Sequence, residues 1–126
     1  MADFPVVENL IIANIDDRHL RALKYAKAKI IRSSLSKYVK DVILYGSTAR
    51  GQAGFSSDVD ILMILDEKIR KYKRYNDAIR YLKGNISTDD YSLPEADLHV
   101  VFEDTWKNDN SAYLSNVRNE GFSIWN

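Results

Sequence analysis

Two short groups of residues carry the chemistry in this sequence. Gly46-Ser47-Thr48-Ala49-Arg50-Gly51 stands five residues ahead of Ser57-Asp58-Val59-Asp60. In the first group an apolar run enters a Gly-Ser pair and a short helix start. Glycine lets the backbone approach a ligand closely. A helix start offers free N–H groups and a positive dipole end, which favour phosphate. Ser47 adds a hydroxyl. Taken alone, the same residues also describe an ordinary strand-turn-helix junction.

The second group opens an apolar run, Val59 to Leu65. Alternate residues of a strand point to the same face, with Cα atoms about 6.6–7 Å apart. Asp58 and Asp60 are thus placed to converge on metal ions, which in two-metal sites lie about 3.5–4 Å apart. Like charges side by side are unfavourable without a cation to balance them. Mg²⁺ takes a few carboxylates together with water and substrate phosphates, so two or three acids suffice. The competing reading is a solvent-exposed strand end with Asp58 as a turn residue.

Together the two groups resemble the active-site signature of the minimal nucleotidyltransferase branch of the DNA polymerase beta superfamily: GSxARG, then SDxD followed by Leu or Ile. Gly46, Ser47, Ala49, Arg50, Gly51, Ser57, Asp58 and Asp60 fill its positions, with Ile61 for the usual leucine. The resemblance spans roughly residues 40–102. It implies the nucleotidyltransferase fold, of α/β (α+β) class, a small mixed β-sheet packed by helices. It also implies one minimal domain over residues 1–126, with an N-terminal extension at 1–15 and a core at about 18–125. Implied with it are two Mg²⁺ ions on Asp58 and Asp60, ATP as nucleotide donor, and a third carboxylate on a neighbouring strand. Asp97 matches that acid, since it begins the apolar run Ala96 to Phe102; Asp89 and Asp90 lie in loop-like sequence. By the same resemblance Asp97 completes the metal site and serves the acceptor hydroxyl. Gly46 and Ser47 cradle the β- and γ-phosphates, and Ser57 helps the phosphates or orders its loop. Arg50 pairs with an acid to brace the loop, or contacts the triphosphate. His99 shares a strand face with Asp97, although a lone histidine more often has a structural place.

The elements that must position these residues follow from the pattern. Asp16 and Asp17 cap a helix predicted from about Arg18 to Tyr38, with Leu20, Leu23, Ile30, Ile31 and Leu35 as its apolar stripe. Val42–Tyr45 reads as a buried strand, Ser47–Arg50 as a short helix, and Val59–Leu65 as a strand covered on both faces. Asp66 is set to cap a helix with Ile69, Tyr72, Ile79 and Leu82 on one face, ended by Gly84. Residues 86–94 read as loop and Ala96–Phe102 as a third strand. A last helix runs from about Asn110 to Glu120 with Gly121 as its stop, before a short edge strand within Phe122–Trp125. Strands alternating with helices indicate layered α/β structure.

Composition narrows the class. At 126 residues, 45% hydrophobic and 29% charged, the chain has the profile of a soluble globular protein. It contains no cysteine, so disulfides, thiolate zinc sites and cysteine nucleophiles are excluded, which suits a reducing cytoplasm. No apolar run is long enough for a membrane span. The first fourteen residues hold two acids, and no base precedes Arg18, against the basic start of a signal peptide. Net charge is zero but unevenly placed: eight bases and no acid lie between Arg18 and Lys40, and eight acids with two Lys or Arg lie from Ser87 onward. A basic segment of this kind is either an anion-facing surface or a solvated helix face.

Larger relatives in the resembled family carry a further helical domain for the acceptor. Only about two dozen residues follow the third predicted strand here, so the acceptor is expected on another molecule. Short relatives of this kind work beside a helical HEPN protein as a toxin–antitoxin pair, adding AMP to the toxin. Nucleotide addition to RNA or tRNA ends, and neutralisation of a partner by binding alone, are the other readings. A homo-oligomer is compatible with each.

Overall fold

The computed structural model describes Ile12 and residues 14–125, so most of the expected N-terminal extension lies outside the described residues. Helix α1 (Asp17–Arg32) is followed by a 3-10 turn (Ser36–Tyr38), strand β1 (Val39–Tyr45), the one-turn helix α2 (Gly46–Ala49) and strand β2 (Val59–Leu65). A second 3-10 turn (Glu67–Ile69) leads to α3 (Lys73–Asn85), then β3 (Ala96–Phe102), α4 (Glu103–Asn108), α5 (Ala112–Glu120) and β4 (Phe122–Ser123). The strands form one mixed sheet in the order β3-β2-β1-β4. β2 and β3 are parallel, and β1 is antiparallel to both β2 and β4. The expected small mixed sheet packed by helices is therefore what forms.

Strand alternation splits the core into two halves. Val59, Ile61, Met63 and Leu65 face one way, onto Ala22, Leu23, Ala26 and Ile30 of α1 and Leu82 of α3. Leu62 and Ile64 face the other way, with Ile43 and Tyr45, onto Leu114 and Val117 of α5 and Trp106 of α4. Every β2 residue except Asp60 is buried. Such a strand reads as an unbroken apolar run because both its faces are covered. Asp60 falls on the α5 side, so that side carries the polar site.

Several element boundaries differ from the expectations. α1 ends at Arg32, six residues before Tyr38, because Ser33 turns extended and its hydroxyl and N–H both bond the Ile30 carbonyl. Its core stripe uses Ala22 and Ala26, while Leu20 and Ile31 are only half-buried. β1 starts at Val39 rather than Val42. Asp66 caps the second 3-10 turn, with α3 beginning later at Lys73. α3 runs through Gly84 to Asn85, so Gly84 is inside the helix and not its stop. α4 was absent from the expectations. α5 does end at Gly121, whose φ of −84° is an ordinary one. The glycine is needed there for space: a Cβ would lie 2.6 Å from Ile43 Cγ2 and 2.7 Å from the Val117 carbonyl oxygen. Among the described residues no helix is long and apolar enough to cross a membrane.

Candidate active site

The site forms at the ends of β2 and β3 where both parallel strands begin. Asp60 and Asp97 are register partners on these strands. Tyr45, at the end of β1, is the antiparallel partner of Asp60. Tyr45, Asp60 and Asp97 therefore form one row across three strands, on the face that α5 covers. Asp58 lies just before β2. Asp58 and Asp97 are exposed, and Asp60 is half-buried.

Charge in this row is unbalanced. Burial, and then the charges of Asp97 and Asp58, push the Asp60 carboxyl above the ordinary carboxylate range. Hard oxygen donors of this kind suit Mg²⁺. Among the described residues no three acids or histidines are gathered closely enough to hold a metal ion by themselves.

Gly46 sits where β1 turns into α2, with φ +75°. A Cβ on Gly46 would lie 2.3 Å from Asp60 Oδ2. Left-handed backbone and the closeness of a carboxylate thus both demand glycine. The Gly46 N–H donates to Glu120 Oε2 at 2.8 Å, and Arg50 Nη1 donates to Glu120 Oε1 at the same distance. The last residue of α5 thereby ties down the Gly-Ser turn, with Arg50 in an ion pair. Ser47 is half-buried at the start of α2, and its carbonyl accepts from the Gln52 N–H. The Ser57 hydroxyl accepts from the Gly54 N–H at 2.9 Å, closing the loop ahead of Asp58. Of the residues singled out in the sequence, Asp60 and Asp97 are brought together directly. Gly46 abuts Asp60, while Arg50 and Ser57 are engaged in bracing the loops.

Further along β3, His99 Nε2 lies 3.2 Å from Asp97 Oδ2, and its ring is 5.6 Å from that of Tyr113 on α5. The Tyr113 and Tyr45 hydroxyls are 2.7 Å apart. Burial, with the nearby charges of Asp60 and Asp97, raises the Tyr113 phenol above its ordinary value. Burial first, then the Tyr113 bond, raises Tyr45. Both stay neutral hydrogen-bonding groups beside the acids.

Four residues of the site escaped the sequence reading: His19, Thr48, Tyr113 and Glu120. His19 and Thr48 are fully buried and bond the backbone on either side of Asp58. The pair Asp16 and His19, one turn apart at a helix start, signals a local bond but not its distant partner. Glu120 and Tyr113 reach the site only through the packing of α5.

The comparisons with known proteins bear on this geometry. The model of the nucleotidyltransferase domain matches residues 26–113, well over half of the chain. That span includes Gly46, Asp58, Asp60, Asp97 and His99. Among solved structures, the chain is similar to a candidate nucleotidyltransferase from Sulfolobus solfataricus, with a TM-score of 0.56. The two are 21% identical over 86% of this chain and 84% of that one, a likeness of fold. No curated protein matches. On the family match, the chain belongs to the nucleotidyltransferase domain family.

Proposed function

We propose that this chain moves a nucleoside monophosphate, AMP, from ATP to a hydroxyl group on a partner protein, using Mg²⁺ held by Asp58, Asp60 and Asp97. The observation that carries this reading is the pairing of Asp60 with Asp97 on adjacent parallel strands, beside a glycine whose missing side chain leaves room for the Asp60 carboxylate. When bound, Mg²⁺ neutralises charge on the attacking and leaving oxygens of an in-line displacement at phosphorus.

The chain's own groups do the remaining work. Asp58, Asp60 and Asp97 supply the oxygen ligands. The Gly46-Ser47 turn receives the β- and γ-phosphates, with Ser47 offering its hydroxyl. Glu120 and Arg50 hold that turn in place. Asp97 takes the proton of the acceptor hydroxyl, and His99 beside it orients the carboxylate. Positioning of this kind supplies much of the acceleration in such transfers.

Asp58 and Asp97 are exposed, so an acceptor carried by a separate molecule has access to them. In the family that this sequence resembles, short chains act on a helical HEPN toxin. We place this chain in that antitoxin role, in the cytoplasm. The test is incubation with α-labelled ATP, Mg²⁺ and the product of the neighbouring gene. Label on that protein, absent with Asp60→Asn, is the expected result. Label on tRNA alone would move the reading to RNA ends, and full neutralisation of the partner by Asp60→Asn would make the antitoxin role non-catalytic.

A further inference from the structure

Asp58 stands at the end of a loop, yet the peptides on both sides of it are held by buried side chains. His19 has no solvent exposure, and its Nε2 lies 2.8 Å from the Ser57 carbonyl oxygen. A carbonyl oxygen only accepts, so Nε2 donates. Its Nδ1 lies 2.8 Å from Asp16 Oδ2, which fixes the ring from the other side. Thr48, 1% exposed, donates its hydroxyl to the Asp58 carbonyl at 3.4 Å. The next N–H, of Val59, donates to the Glu95 carbonyl. One residue ahead of His19, Arg18 donates Nη1 to the Phe55 carbonyl at 3.1 Å and Nε to the Ser92 carbonyl at 2.9 Å. The first turn of α1 thus clasps both loops that lead into the acid-bearing strands.

We propose that His19 and Thr48 are positioning residues for Asp58, setting the backbone from which its carboxylate reaches the metal. The core of α1 needs no imidazole at this position; an apolar residue would fill the volume and leave the Ser57 carbonyl without its donor. Groups that orient a metal-binding side chain commonly govern affinity as much as geometry. The inference rests on the reading of Asp58 as a metal ligand.

The test uses the whole chain in four forms: wild type, H19L, H19Q and T48V. T48V keeps the shape of the side chain and removes only the hydroxyl. Two quantities are measured: Mn²⁺ affinity by electron paramagnetic resonance, and hydrogen exchange along the backbone. H19L and T48V are expected to weaken Mn²⁺ binding by roughly tenfold or more, and to speed exchange within residues 51–58 while β2 and α3 keep wild-type rates. H19Q, whose amide retains an N–H donor, is expected to recover much of the affinity. Should H19L fail to fold, T48V and H19Q carry the comparison. Wild-type Mn²⁺ affinity in T48V, or faster exchange spread evenly over the chain, would overturn the positioning role. A wild type that binds no Mn²⁺ would overturn the metal reading itself, and this inference with it.

Discussion

At Gly46 a missing side chain decides what the neighbouring acid is free to do. Alanine there brings a Cβ within 2.3 Å of Asp60 Oδ2 and is held at φ +75°. The expected cost of Gly46→Ala is about 1–3 kcal/mol from the strained backbone alone, read as a lower urea midpoint, with loss of transfer activity. Asp60 itself carries the opposite lesson. Its carboxyl is raised in the fold, so folding favours the neutral acid. That contribution is present below the unfolded-state value and is lost as pH rises through the folded one. At neutral pH, above the unfolded-state value, the raised Asp60 carboxyl therefore costs the metal-free fold stability. Asp60→Asn is expected to raise the melting temperature of the metal-free protein at pH 7 by a few degrees. The advantage should shrink towards about pH 4, while stabilisation by Mg²⁺ disappears. An unchanged melting temperature at pH 7 would mean that the acids do not repel.

At the scale of elements, the site depends on how α1 and α5 are anchored. Asp16 caps α1, with its Oδ1 accepting from the His19 N–H at 2.9 Å. Partial burial opposes its ionisation, but the bonds from His19 outweigh that and hold the carboxyl below its ordinary value. Its contribution is thus present above the unfolded-state value and lost as pH falls through the folded one. Asp16→Ala should cost about 1 kcal/mol, the usual effect of losing a cap, measured by denaturant unfolding at neutral pH. Leu114, 2% exposed between α5 and the sheet, should cost about 2–5 kcal/mol as alanine, and should disturb Glu120 and Tyr113 on the same helix.

These elements were unevenly legible. β2 and β3 match the sequence expectation residue for residue, because burial on both faces of β2 leaves an apolar run with sharp ends. Gly46, Ser47, Asp58 and Asp60 stood out only when their joint spacing was set beside the family resemblance, and Asp97 came from that resemblance. α4 escaped because six residues are too few for a helical period to show. α1 was drawn too long because Ile31 and Leu35 continue the stripe, although a Ser33 bond to the Ile30 carbonyl ends the helix. Gly84 misled because glycine stops a helix only where the chain turns left-handed or leaves it. His19, Tyr113 and Glu120 stayed hidden because their partners lie far away in sequence: Ser57 for His19, Tyr45 for Tyr113, and Gly46 and Arg50 for Glu120.

For the molecule as a whole, helices cover both faces of one sheet, and three strand-borne or strand-adjacent acids gather where its two parallel strands begin. Its membership of the nucleotidyltransferase domain family concerns transfer of a nucleotide, not of a phosphoryl group alone. ATP labelled at the α-phosphorus and ATP labelled at the γ-phosphorus separate the two. Each is incubated with the chain, Mg²⁺ and the partner protein, with Asp60→Asn run alongside. The account requires α-label to become covalently attached and γ-label to leave as pyrophosphate, with the variant inactive. Attachment of γ-label, or equal α-labelling by Asp60→Asn, would contradict it.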